Sequence, residues 1–542
     1  MIPVIIPQVD RRFSRIFREN SQVEIFPQRK DFIMKNVNEQ VNLNRNSQRT
    51  LTQELTSFYN EETGLLRVSH EFEKTFAYDG KLGVEYSPES TIFRIWSPVA
   101  VNVKLIIFKD FKGNEENRVA MTMVSPGVFE KEIIGDLDNT AYLYSVTYPD
   151  GQIVESVDPY ATAATVNGKY SVVVNLASTD PEKWERMEPF SATTDAIIYE
   201  ANIRDFTISE DSGAKNKGKF LGMIEEGTTT PAAQATGLDY LKELGITHLQ
   251  LLPMFDFETV DERDPDSGYN WGYDPLNFNV PEGSYATNPY EPKSRIKEMK
   301  QMIQGLHDAG IRVIMDVVYN HVYNIDNHSF GHTAPGYFFR RYDDGSLSNG
   351  TGVGNDLASE RIMARKYIID SVKYWAQEFN LDGFRFDLMG IHDVETMNAV
   401  REALDEIDSS IIILGEGWEL DTHLPAEERA TQKNAHRMPR IGFFNDASRL
   451  AIKGSDMDGG YDTGFISGKA YQEQWIAINQ QGGTYYPPDM ATYRSPDQLI
   501  QYVEAHDNHT LYDKLVVSMP TDSDKTRMQR HLLASSLVLL SQ

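Results

Sequence analysis

Residues 311–321 read Ile311-Arg-Val-Ile-Met-Asp-Val-Val-Tyr-Asn-His321. A β-branched apolar run of this length predicts a buried strand, and the polar side chains that close it are ones a buried strand would otherwise exclude. The same pattern returns at Gly383-Phe-Arg-Phe-Asp387, at Ile411 to Leu414 followed by Gly415-Glu-Gly-Trp418, and before Glu504-Ala-His-Asp507. Segments of helical spacing lie between them. Ile296, Met299, Ile303 and Leu306 precede Gly310, and Ile362, Ile369, Val372, Trp375 and Phe379 precede the next strand. Working outward, earlier runs at Ala196 to Ile203 and Thr247 to Pro253 and later ones at Ile441 to Phe444 and Leu499 to Val503 bring the count to seven. Alternating strands and helices predict a parallel sheet, and seven such units predict a (β/α)₈ barrel, C-terminally incomplete after the seventh unit.

The texture differs upstream. Thr91 to Trp96, Val101 to Phe108 and Ala141 to Val146 alternate apolar and polar residues between turn residues such as Pro149-Asp-Gly151, which predicts an immunoglobulin-like β-sandwich. The expected organisation is a region of unassigned role at 1–75, a β-sandwich at 76–185 and the catalytic barrel at 190–542. Residues 1–75 are polar and Asn-rich around Asn36 to Asn46, and leave open an extra module or a brace between domains.

The chain of 542 residues carries 52 Lys+Arg against 80 Asp+Glu, a net charge of −28, which argues against a nucleic-acid partner. A hydrophobic share of 40% is that of a globular protein. Pro3 and Pro7 interrupt the apolar amino terminus, so neither a signal peptide nor a membrane span is expected, and the default location is cytoplasmic. The absence of Cys excludes disulfides and thiolate metal sites.

Arg385 and Asp387 stand two apart on one strand and share a face, where the guanidinium favours an ionised carboxylate, suited to a nucleophile. Glu416 follows an apolar run near other carboxylates, conditions that retain a proton and suit a general acid. Asp507 adds a third acid, and His321 and His506 add hydroxyl donors. Taken singly, each of these residues reads as a helix cap or an ion pair. Their placement at one end of strands three, four, five and seven is what selects chemistry, because active sites of this fold lie there. His321 and His328 carry no acid at zincin spacing, so no metal ligands are assigned. Calcium is left open as a structural ion, with Asp456-Met-Asp458 a weak candidate.

The four blocks, in this order and spacing, resemble the catalytic regions of the α-amylase superfamily, glycoside hydrolase family 13, over roughly 75–542. Tyr269-Asn-Trp-Gly-Tyr-Asp-Pro275 is similar to the heptapeptide of type I pullulanases. The sandwich resembles a CBM48-like carbohydrate-binding module, in which Trp96 is expected to pack rather than to stack on sugar. The resemblance implies α-1,6-glucosidic debranching of pullulan, amylopectin, glycogen and limit dextrins by a retaining double displacement. Asp387 would be nucleophile, Glu416 acid/base and Asp507 transition-state stabiliser. Tyr273, Asp274, Trp271, His321, Arg385, Trp418, His506 and Asn508 would bind the glucan. It implies no required cofactor, an α-glucan as the sole partner and a monomer. The alternatives are another enzyme of the superfamily (isoamylase, α-amylase or branching enzyme) and an inactive α-glucan-binding fragment.

Overall fold

The computed structural model describes residues 55–457, 459–484 and 492–541. Most of the amino-terminal region, residues 1–54, lies outside them, as do Asp458 of the weak calcium candidate and Gln542.

Two antiparallel sheets make the sandwich. One orders the strands Gly83–Tyr86, Ser90–Trp96, Val128–Ile134 and Thr122–Ser125. The other runs Ile153–Ser156, Thr140–Thr147, Asn102–Ile107 and Asn117–Ala120, with Ser171–Val173 added against Thr140–Thr147. Alternation decides the faces: along Ser90–Trp96, Phe93 and Ile95 are buried while Ile92 and Arg94 are not.

The second domain is built on a sheet of seven parallel strands in sequence order: β1 (Ile198–Ala201), β2 (His248–Leu251), β3 (Arg312–Val317), β4 (Gly383–Phe386), β5 (Ile412–Gly415), β6 (Gly442–Phe444) and β7 (Leu499–Ile500). The central strands are buried nearly throughout, which explains why they read as unbroken apolar runs. Helices Gly237–Leu244, Pro292–Asp308 and Ile362–Glu378 return the chain between strands. Ile296, Met299, Ile303 and Leu306 form the fully buried stripe of the second of these. Gly245 ends the first helix with φ +73°, a left-handed conformation that a side chain would oppose. The sheet curls. Ile314, Ile412 and Leu414 pack with Ile198, Phe444 and Ile500, so both edge strands reach one core. Among the described residues no ladder joins β1 to β7.

All seven expected strands are present, most of them shorter than the runs that predict them, the first and the seventh by the largest share. The first stops at Ala201 because Asn202 caps the short helix Ile203–Thr207, accepting from the Asp205 N–H. The seventh stops at Ile500, not Val503, because its neighbour β6 ends at Phe444 and Asn445 turns into the helix Asp446–Lys453.

The described part of the amino-terminal region acts as a brace. Tyr59 stacks on Tyr148 of the sandwich, with ring centroids 5.6 Å apart, while the Leu66 N–H donates to the Pro335 carbonyl of the second domain. Phe72 and Phe76, on the helix His70–Phe76, are buried, and Phe72 meets Tyr337. Trp96 is buried in this seam, donating its indole N–H to the Phe76 carbonyl at 2.9 Å and meeting Tyr337 edge-on, so it packs as expected.

Candidate active site

Arg385 stands at the centre of the strand ends. It lies on β4, and its two terminal nitrogens are bound by three carboxylates while the Tyr273 and Phe444 rings lie against the guanidinium. Nη1 is 3.1 and 3.0 Å from the two oxygens of Asp316 and 2.9 Å from Asp387 Oδ1, and Nη2 is 2.5 Å from Glu416 Oε1. One cation thus gathers acids from the ends of β3, β4 and β5. Asn320 donates to both Asp387 Oδ2 and the Asp387 carbonyl at 2.7 Å, so two donors fix the two oxygens of that carboxylate.

Directly after Asp387 the chain turns through Leu388 at φ +39°, an uncommon conformation for a residue with this side chain. That turn aims the Leu388 N–H at Glu416 Oε2, 2.9 Å away. The strained step therefore couples the backbone beside one acid to the carboxylate of the other. Burial pushes the Glu416 carboxyl up to about 8, with the charge of Arg385 opposing and that of Asp387 adding to the rise. Asp316 is pushed up to about 7, again mainly by burial and against Arg385. Glu416 thus retains its proton near neutrality while donors hold Asp387. Asp507 differs from these buried acids, with a side chain 44% exposed at the mouth.

Tyr273 donates its hydroxyl to Asp316 Oδ2 at 2.7 Å and stacks on His506 at 5.3 Å with the rings 18° from parallel. Trp271 meets His506 edge-on at 5.1 Å and donates to the Tyr269 hydroxyl. His321 Nε2 lies 3.0 Å from the Tyr273 carbonyl, and burial pushes its pKa down. Trp418 is tied to Asp446 through its indole N–H at 2.9 Å. Asp274 turns into its own loop, accepting from the Thr259 N–H at 2.9 Å and Asn270 Nδ2 at 2.7 Å, so it pins the heptapeptide. Asn508 is exposed, at φ +64°.

Four residues of the constellation were not singled out by the sequence reading: Asp316, Asn320, Glu200 and Gln250. The first two sit inside the block 316–321, where a carboxylate in mid-strand was itself a signal. Glu200 carried the same signal in the run Ala196 to Ile203. Gln250, which donates to Glu200 Oε1 at 2.9 Å, carried a weaker one in the second strand.

The sequence also holds a His-x-x-x-His spacing at His328 and His332, which the expectation of no metal ligands overlooks. Both rings are used locally: His328 Nδ1 accepts from the Phe330 N–H at 3.1 Å and His332 Nε2 donates to the Asp326 carbonyl at 2.9 Å. Among the described residues, one group of three acids has a metal-compatible spacing, Asp256, Glu262 and Glu282. Arg295 already supplies a cation there, 2.6 Å from Glu262 and 3.3 Å from Asp256, so the donor set fits an ion-pair clamp better than calcium.

Sandwich, parallel sheet and strand-end acids together define an α-amylase-type catalytic domain behind a carbohydrate-binding module. Residues 81–161 match the family model for carbohydrate-binding module 48 (isoamylase N-terminal domain), and residues 227–334 match that for the alpha amylase catalytic domain. A pullulanase of Bacillus subtilis (strain 168) is 45% identical over 472 residues, covering 87% of this chain and 65% of that protein. The crystal structure of pullulanase from Paenibacillus barengoltzii in complex with maltohexaose and α-cyclodextrin is 45% identical with a TM-score of 0.85, over 90% of this chain and 76% of that one. Pullulanase from Anoxybacillus sp. LM18-11 complexed with maltotetraose is 48% identical with a TM-score of 0.83, over 88% and 68%. The chain belongs to the pullulanase family of glycoside hydrolases. It spans just under two thirds of the Bacillus subtilis relative and 41% of pullulanase A from Streptococcus pneumoniae serotype 2 (strain D39 / NCTC 7466).

Proposed function

We propose that this chain hydrolyses α-1,6-glucosidic branch linkages in α-glucans by a retaining double displacement. The observation that carries the reading is the single guanidinium of Arg385 clasping Asp387 and Glu416 on opposite nitrogens, 2.9 and 2.5 Å away. The clasp holds two carboxyl groups in one site, and burial raises Glu416 there against the charge of Arg385, so that one acid is kept for proton donation, which the reaction requires. Glu416, retaining its proton by burial, protonates the departing 6-oxygen of the neighbouring glucose. Asp387 attacks the anomeric carbon, the C1–O6 bond breaks and a covalent glycosyl-enzyme forms. Glu416, now a carboxylate, removes a proton from water, which attacks C1 and frees Asp387. Asp507, open at the mouth, is placed to offset the positive charge that builds on the sugar.

Tyr273, Trp271 and Trp418 supply ring surface for glucosyl faces, and His321 and His506 supply polar edges. The α-1,6 preference rests on the heptapeptide 269–275, shared in kind with the family, and pullulan and amylose separate it from an α-1,4 specificity. Reducing ends released from pullulan but not from amylose, and lost in Glu416→Gln, are the expected result. Equal release from both glucans would replace debranching by a general amylase reading.

A further inference from the structure

Strands β1 and β7 are opposite edges of the sheet, yet one side chain ties β1 to the segment that follows β7. Glu200, the third residue of β1, accepts the backbone N–H of His506 through Oε2 at 2.6 Å and faces His506 Nδ1 with Oε1 at 3.0 Å. Gln250 of β2 steadies that carboxylate from behind. On its far side, His506 Nε2 lies 3.0 Å from the Tyr273 hydroxyl and 3.5 Å from Asp507 Oδ1.

The donor and acceptor inventory fixes the ring. Glu200 is an acceptor, so Nδ1 carries a proton. With Asp316 ionised, Tyr273 gives its own proton to it, and Asp507 is again an acceptor, so Nε2 carries one too. A ring protonated on both nitrogens is an imidazolium. Among the described residues, the groups facing it are Glu200 from β1, Asp507 from its own turn, Asp316 from β3 and Tyr273 from the heptapeptide, with the cation of Arg385 beyond Asp316. Burial opposes the charge, but the hydrogen bond and charge of Glu200, joined by Asp507 and Asp316, outweigh it and move the ring's pKa upward.

We propose that Glu200 is a positioning residue, which ties β1 to the segment after β7 and holds His506 as an imidazolium that orients Tyr273 and Asp507. The proposal rests on the glycoside-cleaving reading for its purpose, but not for its test. In that arrangement the hydroxyl of Tyr273 is committed to Asp316, its ring lies flat on His506, and Asp507 is drawn to the edge of the site by a fixed positive partner. Without Glu200 the turn after β7 loses its backbone anchor and the ring its reason to stay charged.

The test is NMR of the whole chain labelled at histidine 13Cε1, with the His506 signal identified by its loss in His506→Gln. The expected signal is imidazolium-like at pH 6.5. In Glu200→Gln its titration midpoint falls by about one pH unit or more, and in Glu200→Asp it is largely restored. On pullulan, Glu200→Gln is expected to lower kcat about 10- to 100-fold with KM little changed, the loss growing as pH rises. A neutral His506 in the parent at pH 6.5 would overturn the proposal, with the relay then running from a protonated Asp316 through Tyr273. So would a midpoint unchanged by Glu200→Gln. The histidine signal is read without substrate, so it decides this proposal even if the chain releases no sugar, and should Glu200→Gln not fold, the parent signal and the Asp variant still decide.

Discussion

Replacing Arg385 by Met leaves a side chain of similar reach without its charge, and removes the cation from three buried acids at once. In the folded protein the guanidinium makes four nitrogen–oxygen contacts between 2.5 and 3.1 Å, and neither it nor Asp316 or Glu416 reaches water to any extent. Breaking one partner out of a buried ion pair costs about 3–5 kcal/mol, because the remaining charge is left uncompensated. Here the stranded acids escape by taking up protons, and the cost of that uptake depends on pH. Near pH 5 Asp316 and Glu416 already hold protons, since their folded values are pushed up to about 7 and about 8 even with Arg385 in place. At pH 7.5 Glu416 still holds its proton, and Asp316 must take one up from the solvent. The loss of stability in Arg385→Met is therefore expected to be about 3–5 kcal/mol at pH 7.5 and smaller at pH 5 by about 1–3 kcal/mol. Adding Asp316→Asn to that variant is expected to restore about 1–2 kcal/mol at pH 7.5. Urea unfolding followed by tryptophan fluorescence at both pH values measures each quantity. A loss below about 1 kcal/mol, or one that does not change with pH, would refute the central role given to this guanidinium.

Other consequences follow from single contacts. Glu416 has a folded value raised above that of an ordinary carboxyl, so its contribution to stability is complete at low pH and is lost as pH rises through about 8. Glu416→Gln should accordingly unfold at higher urea than the parent at pH 8 and show little difference at pH 4.5. Asn320→Ala removes a donor 2.7 Å from Asp387, a charge-assisted bond of about 1.5–3 kcal/mol, and kcat on pullulan should drop about 10- to 100-fold. A change under twofold would show that Asn320 does not hold the nucleophile. Trp96→Ala empties a buried indole site in the seam and strands the Phe76 carbonyl, which should cost about 3–5 kcal/mol by urea unfolding.

What the sequence disclosed follows from burial. Strands β2 to β5 are covered on both faces, so every residue in them had to be apolar or paired, and Arg385, an exception, stood out as chemistry. β7 was overextended because a ladder ends where its partner ends, and the departure of Asn445 into a helix cap is not written in residues 499–503. The brace at 59–76 was illegible for a related reason. Its aromatic residues are spaced by tertiary contacts to Tyr148 and Tyr337, not by any period of their own. Asp274 shows the opposite limit: a polar residue in a motif can serve the loop, as its bonds to Thr259 and Asn270 do. Glu200 was obscured because its partner, His506, lies 306 residues away, and such a pairing becomes visible only when the sheet curls.

The measurement that bears most directly on the roles of Asp387 and Glu416 is proton NMR of pullulan during digestion by this chain, recorded before the product mutarotates. Maltotriose released as the α-anomer, and absent with Asp387→Asn, is the predicted result, because two displacements at C1 restore its configuration. Product appearing first as the β-anomer would contradict the account, since it would require water, and not Asp387, to attack the sugar.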